Sequence, residues 1–291
     1  MDSGMLATAS AEIYWQALGE GPAVVLAHGI GGNHAIWYRQ IDALSRSNRV
    51  ITFDHRGFGL SRDLDGRGRD AFVEDLTALL DHLDIAKAAL VGQSMGAGTC
   101  IGFAHRAPER VAALAICDSL HGIVESGEVK AIMDAARAKT AALSQVERVL
   151  GAGAAPDLAA LYSQIASFNA ASRHDLTGRF DARPAADLGG NGYPVLFLSG
   201  VDDILFPIEA VRLVQAEVPG SFLVEVNDAG HSAFLEAPTQ FNDTILSLLQ
   251  SAQGTVGSHV AGRALQAARA HRRRDRGALR RIRRRRDRRH R

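Results

Sequence analysis

The stretch Ala89-Leu90-Val91-Gly92-Gln93-Ser94-Met95-Gly96-Ala97-Gly98 decides how the rest of the chain is read. Its first residues are apolar without polar alternation, the pattern of a strand buried on both faces of a parallel sheet. The pattern Gly-x-Ser-x-Gly follows, and then a helical run over Met95–Arg106. A turn this tight between strand and helix would make side chains two residues either side of Ser94 collide, and the glycines at 92 and 96 remove them. Such a turn holds Ser94 in a strained backbone conformation with its hydroxyl projecting above the sheet. The following helix points its positive end at the same spot, which makes the Met95 N–H a candidate oxyanion donor. Ser94 is the expected nucleophile.

Outward from this turn, short apolar runs alternate with helix-length amphipathic stretches, the order of a mostly parallel sheet covered on both faces. Strands are expected at Glu12–Leu18, Ala23–His28, Val50–Asp54, Ala88–Gly92, Val111–Cys117, Val195–Ser199 and Ser221–Val226. Helices are expected at His34–Ser47, Asp70–Leu83, Met95–Arg106, Ile208–Val218 and Pro238–Gln250. The fold class is therefore α/β. Between Gly122 and Gly192 the rhythm becomes alanine-rich and helical, with amphipathic patterns at Glu128–Ala142 and Leu158–Phe168 and no convincing strand. An insertion there fits a lid over the carboxyl edge of the sheet, where open α/β sheets bind ligands. The expected division is a core of residues 1–121 and 193–252, a helical lid of 122–192 and a tail of 253–291.

Composition supports a water-exposed globular domain. With 46% hydrophobic and 22% charged residues, no apolar run approaches the ~20 residues of a membrane helix. The first ten residues lack both a basic leader and an apolar stretch, so a cytoplasmic location is expected. Cys100 and Cys117 sit in apolar segments and read as core residues rather than as a disulfide or metal pair. The net charge of +1 hides a split, because residues 263–291 hold fifteen arginines against Asp275 and Asp287. A block of like charge repels itself and buries little, so this tail is expected to be disordered. It lacks interleaved aromatics and any recognised nucleic-acid module, so nucleic acid is not expected as a partner.

Four further segments resemble the α/β-hydrolase family in the family's own order. They are His28-Gly29-Ile30-Gly31-Gly32 after the strand at Ala23, Asp54-His55-Arg56-Gly57-Phe58-Gly59-Leu60-Ser61, Leu198-Ser199-Gly200-Val201-Asp202-Asp203 and Asp228-Ala229-Gly230-His231. With the serine turn they span roughly Ile13 to Leu249. The resemblance implies a serine hydrolase with an oxyanion loop at Ile30, a triad acid at Asp203 and a histidine at His231. It also gives His28 a structural part within its loop. Asp118, at the end of the preceding strand, stays open as a rival acid because some family members place it there. Asp54, Arg56 and Ser61 read as residues that organise their loop, and His34, His55, His82, His105, His121 and His174 show no partner pattern.

The chemistry fits these parts. A serine hydroxyl needs a base near neutral pH, an imidazole titrates in that range, and an acid must hold its tautomer. The catalytic set expected is Ser94, Asp203 and His231, with the Ile30 and Met95 amides as oxyanion donors and neither cofactor nor metal. Trp37, Leu120 and Phe206 are expected to line an apolar substrate pocket. A carboxylic ester or lactone is the expected small-molecule substrate. The alternatives are hydrolysis of a carbon–carbon bond in a ring-cleavage diketone, which shares Gly-x-Ser-Met-Gly and Arg-Gly-Phe-Gly, and a member of the fold that binds a small ligand without turning it over.

Overall fold

In a computed structural model that describes residues 1–172 and 174–254, the apolar runs of the sequence become one sheet. The expected Arg-rich tail lies, from residue 255 onward, outside the described residues. The strands are β1 (Asp2–Ala7), β2 (Ala11–Leu18), β3 (Ala23–Ala27), β4 (Arg49–Phe53), β5 (Arg62–Asp63), β6 (Ala88–Gln93), β7 (Val111–Cys117), β8 (Val195–Gly200) and β9 (Phe222–Val226). Their order is β1-β2-β4-β3-β6-β7-β8-β9, with β5 beside β2. From β4 to β9 all neighbours are parallel, whereas β1, β2 and β5 pair antiparallel at one end.

Helices cover both faces: α1 (Ile41–Ser45), α2 (Phe72–His82), α3 (Met95–Arg106), α4 (Gly127–Thr140), α5 (Gln145–Val149), α6 (Pro156–Ala166), α7 (Ile208–Ala216), α8 (Ala233–Glu236) and α9 (Pro238–Ala252). Side chains alternate across a strand. Along β3, Val25 and Ala27 therefore join a cluster with α2, α3 and α7, while Val24 and Leu26 join a second cluster with α1, α6 and α9. Each fully buried Val, Leu or Ile of these strands contributes roughly 1.5–3 kcal/mol. Both clusters meet at β6, which is buried along its whole length and so places its carboxyl end at the centre of the sheet edge.

Three expectations change. The strand β1 was not foreseen, because its residues are mostly exposed and only backbone pairing with β2 makes it a strand. The helix expected over His34–Ser47 is divided into a 3₁₀ turn at His34–Trp37 and the short α1. Gln40 lies between them, its side-chain amide donating to the Phe234 carbonyl at 2.8 Å. The helix expected from Asp70 begins as a 3₁₀ turn over Gly68–Ala71 before α2.

Between β7 and β8 the chain leaves the sheet to form α4, α5 and α6. It departs and returns at a single stem, where Val124 N–H donates to Arg183 O at 2.9 Å and Arg183 N–H to Gly122 O at 3.1 Å. No helix among the described residues is long and apolar enough to cross a membrane.

Candidate active site

Ser94 stands at the join of β6 and α3 with φ 49° and ψ −117°, a conformation that L-residues rarely adopt. The sequence reasoning about its glycines holds in detail. A Cβ on Gly92 would meet the Ala97 backbone, and one on Gly96 would collide with the Ala27 carbonyl. The strained residue is tied on both sides, its N–H donating to Cys117 O at 2.9 Å and its carbonyl accepting the Ser119 hydroxyl at 2.8 Å.

His231 follows β9 on a loop that reaches across the sheet edge. Its Nε2 lies 2.9 Å from Ser94 Oγ, and its Nδ1 lies 2.9 Å from Asp203 Oδ2. The carboxylate of Asp203, on the loop after β8, accepts the Leu205 and Phe206 N–H groups on its other oxygen at 2.7 and 3.1 Å. Since a carboxylate can only accept, the proton of a neutral His231 resides on Nδ1 and leaves Nε2 to receive the serine hydroxyl. Ser94, Asp203 and His231 are all buried. The Phe206 ring lies nearly parallel to the imidazole, at 17° and 5.6 Å between centroids.

Asp118 is held elsewhere. Its Oδ1 accepts the Gly200 N–H at 2.8 Å and its Oδ2 the Ala233 N–H at 3.3 Å, so it staples the end of β8 to the start of α8. Burial, and then the charge of Asp203, push its carboxyl well above the usual range. No hydrogen bond joins it to His231 among the described residues.

The loop after β3 lies beside Ser94. His28 donates from Nδ1 to Gly29 O at 2.9 Å, and its Nε2 accepts the His55 N–H at 3.0 Å. His55 Nε2 in turn meets the Thr99 hydroxyl of α3 at 2.9 Å. Burial lowers the His28 pKa to about 4 and that of His55 well below its ordinary value, so both rings are neutral. Gly29 O also accepts the Gly32 N–H at 3.1 Å. Neither the Ile30 N–H nor the Met95 N–H donates to another group among the described residues. Asp54, Arg56 and Ser61 organise the next turn. Ser61 donates to Asp54 O at 2.8 Å, and the buried Arg56 makes two 2.7 Å bonds to Asp75.

A cavity of about 190 Å³ opens over Ser94 and His231. Of the three apolar residues named from the sequence, Phe206 is on its wall, and Trp37 and Leu120 are not. Trp37 is fully buried against Phe234 and Phe241, and Leu120 is part of the core cluster under α3. An apolar residue near a motif does not reveal which side of the backbone it faces. The wall is also less apolar than expected, since α4, α5 and α6 contribute Arg137, Gln145, Arg148 and Tyr162 beside Met133 and Val149. The sequence reading missed these, together with His121 on the wall and two buttresses of the histidine loop. Gln93 donates to His231 O at 2.8 Å, and Glu236 accepts the N–H groups of Gly230 and Ser232, at 3.1 and 3.3 Å, on either side of His231. The position of Gln93 inside the serine motif was the one available signal.

Comparison with known proteins agrees with this fold. The family model described as alpha/beta hydrolase fold matches residues 22–153 and 139–238. The chain is 32% identical over 248 residues to the dihydrolipoyllysine-residue acetyltransferase component of the acetoin cleaving system of Pseudomonas putida, covering 81% of this chain. It spans 66% of that relative's length, just under two-thirds. Among solved structures, a thermophilic esterase from Thermogutta terrifontis superposes with a TM-score of 0.71 at 26% identity, covering 87% of this chain and 99% of its own. The enol-lactonase from Burkholderia xenovorans superposes with a TM-score of 0.69 at 25% identity, covering 85% and 100%. Sheet order, serine turn and a family match that runs from before β3 to the first residue of α9 converge: the chain belongs to the α/β-hydrolase fold family.

Proposed function

We propose that this hydrolase cleaves a small carboxylic ester or lactone through an acyl-enzyme on Ser94. The observation that carries the reading is the continuous hydrogen-bond chain Ser94–His231–Asp203 beneath a cavity. His231 Nε2 takes the Ser94 proton as Oγ attacks the carbonyl carbon, and Asp203 stabilises the imidazolium that forms. The Ile30 and Met95 amides receive the oxyanion, each such donor being worth about 10²–10³ in rate. His231 then returns the proton to the leaving oxygen, which departs as the alcohol or, for a lactone, stays attached to the acyl chain. Water activated by the same nitrogen releases the acid. Residues 122–192 act as the helical lid of this site and residues 1–121 and 193–252 as its core. Eight wall residues between Glu125 and Tyr162 support the lid assignment. The esterase and the enol-lactonase of the same fold support the choice of bond.

The test is labelling by a fluorophosphonate and release of nitrophenol from a short-chain nitrophenyl ester. Wild type is expected to do both, and Ser94→Ala neither while keeping its fold. Turnover by Ser94→Ala near the wild-type rate would remove Ser94 from the mechanism.

A further inference from the structure

Ile30 lies between two peptide groups that are pinned from opposite directions. The peptide before it, which carries its N–H, is fixed by the core: Gly29 O accepts both His28 Nδ1–H and the Gly32 N–H. The peptide after it is fixed by the inserted helices. Ile30 O accepts Gln145 Nε2 of α5 at 3.0 Å and the Tyr162 hydroxyl of α6 at 3.1 Å. Gln145 Nε2 also lies 3.2 Å from the Tyr162 hydroxyl. The donors balance: one amide hydrogen of Gln145 serves Ile30 and the other Tyr162, whose own proton goes to Ile30. Burial raises the Tyr162 pKa to about 12, so the phenol remains a donor throughout the working range. The hydroxyl fits because residue 31 is a glycine at φ 87°, and a Cβ there would collide with it. One residue further on, Gly32 O accepts Asn169 Nδ2 at 3.2 Å, and Asn33 Nδ2 donates to Ile165 O at 3.0 Å.

We infer that Gln145 and Tyr162 are positioning residues that aim the Ile30 amide, so that the inserted helices complete the oxyanion site as well as covering it. The inference rests on the reading of Ser94 and Ile30 proposed above. With both peptides pinned, the donor is set before substrate arrives and costs no reorganisation when charge develops. With the second peptide released, rotation about the Ile30 ψ angle and about both Gly31 dihedrals carries the Gly32 N–H away from Gly29 O, so the peptide that bears the Ile30 N–H loses one of its two ties.

The experiment compares wild type with Tyr162→Phe, Gln145→Met and the double variant, substitutions that keep side-chain volume while removing the polar atoms. Hydrogen exchange of the peptide containing residues 29–33 is expected to be faster in each variant and fastest in the double. In parallel, kcat for a nitrophenyl ester is expected to fall about 3–10-fold in the single variants and about 30–100-fold in the double, below the loss of about 10²–10³ that removing an oxyanion donor outright would cause. KM should stay within about threefold. Affinity for an aryl boronic acid, which presents an anionic tetrahedral centre, is expected to fall in parallel with kcat. Variants that keep the wild-type melting temperature, exchange at the wild-type rate and lose no kcat overturn the inference. If the double variant does not fold, the two single variants carry the same comparison. A wild type inert to ester and fluorophosphonate overturns the proposed function instead, while the exchange measurement still decides whether the two side chains hold the loop.

Discussion

Asp203 Oδ2 lies 2.9 Å from His231 Nδ1, and Asp118, although buried in the same region, spends both of its oxygens on backbone N–H groups of Gly200 and Ala233. The two carboxylates therefore predict different phenotypes. Asp203→Asn keeps the shape but lets the amide stabilise the wrong tautomer, with an expected loss of about 10³–10⁴ in kcat. Asp118→Ala leaves two buried N–H groups without an acceptor and is expected to cost about 1–3 kcal/mol in unfolding free energy. It should retain far more activity than Asp203→Asn. Kinetics and urea unfolding on both variants check this, and the reverse ranking of activities would return Asp118 to the position of acid.

The backbone of Ser94 predicts a stability change opposite in sign to the usual one. A non-glycine residue held at φ 49° and ψ −117° stores about 1–3 kcal/mol of strain. Ser94→Gly relieves it, against the 0.5–1 kcal/mol or so that glycine adds through the unfolded chain. Ser94→Gly is expected to be more stable than Ser94→Ala by about 1 kcal/mol, measured by thermal or urea unfolding. Equal stability, or a less stable glycine variant, would show that the turn is not strained at this residue.

The neutral pair His28 and His55 predicts how stability depends on pH. Both fold into sites that disfavour the charged ring, with His28 lowered to about 4. Unfolded, each takes up a proton near pH 6.5, so in the window below that value the unfolded chain binds more protons. The contribution is complete above about pH 6.5 and is lost as pH falls toward 4. At about 1.4 kcal/mol per pH unit, His28 alone accounts for roughly 3 kcal/mol. Urea unfolding at pH 7 and pH 4 should differ by at least this order, and a flat profile across the window is the outcome that contradicts a neutral pair.

Legibility in the sequence followed the range of the forces involved. The turn at Ser94 was readable because its steric demand falls on Gly92 and Gly96, two residues away. The parallel strands were readable because burial on both faces leaves no polar alternation. By contrast, β1 has little burial to report and exists through its pairing with β2. The choice between Asp203 and Asp118 could not be made locally, since both follow strand ends, and only the loop path decides which reaches His231. Trp37 and Leu120 were misjudged because proximity to a motif in sequence says nothing of the face on which a side chain falls. Gln145 and Tyr162 leave no local trace at all, because their partner Ile30 lies 115 and 132 residues away.

Ser94 is bolted to the end of β7 at both its N–H and, through Ser119, its carbonyl. Its geometry is thus held by a neighbouring strand as well as by its own turn. Loosening at the carboxyl ends of β6 and β7 would remove both ties together and leave Ser94 free to relax from φ 49° while the other strands stay paired. On heating, labelling of Ser94 by a fluorophosphonate is therefore expected to decline at a lower temperature than the far-ultraviolet dichroism of the fold, and coincident transitions would show that the two ties give way only with the whole sheet.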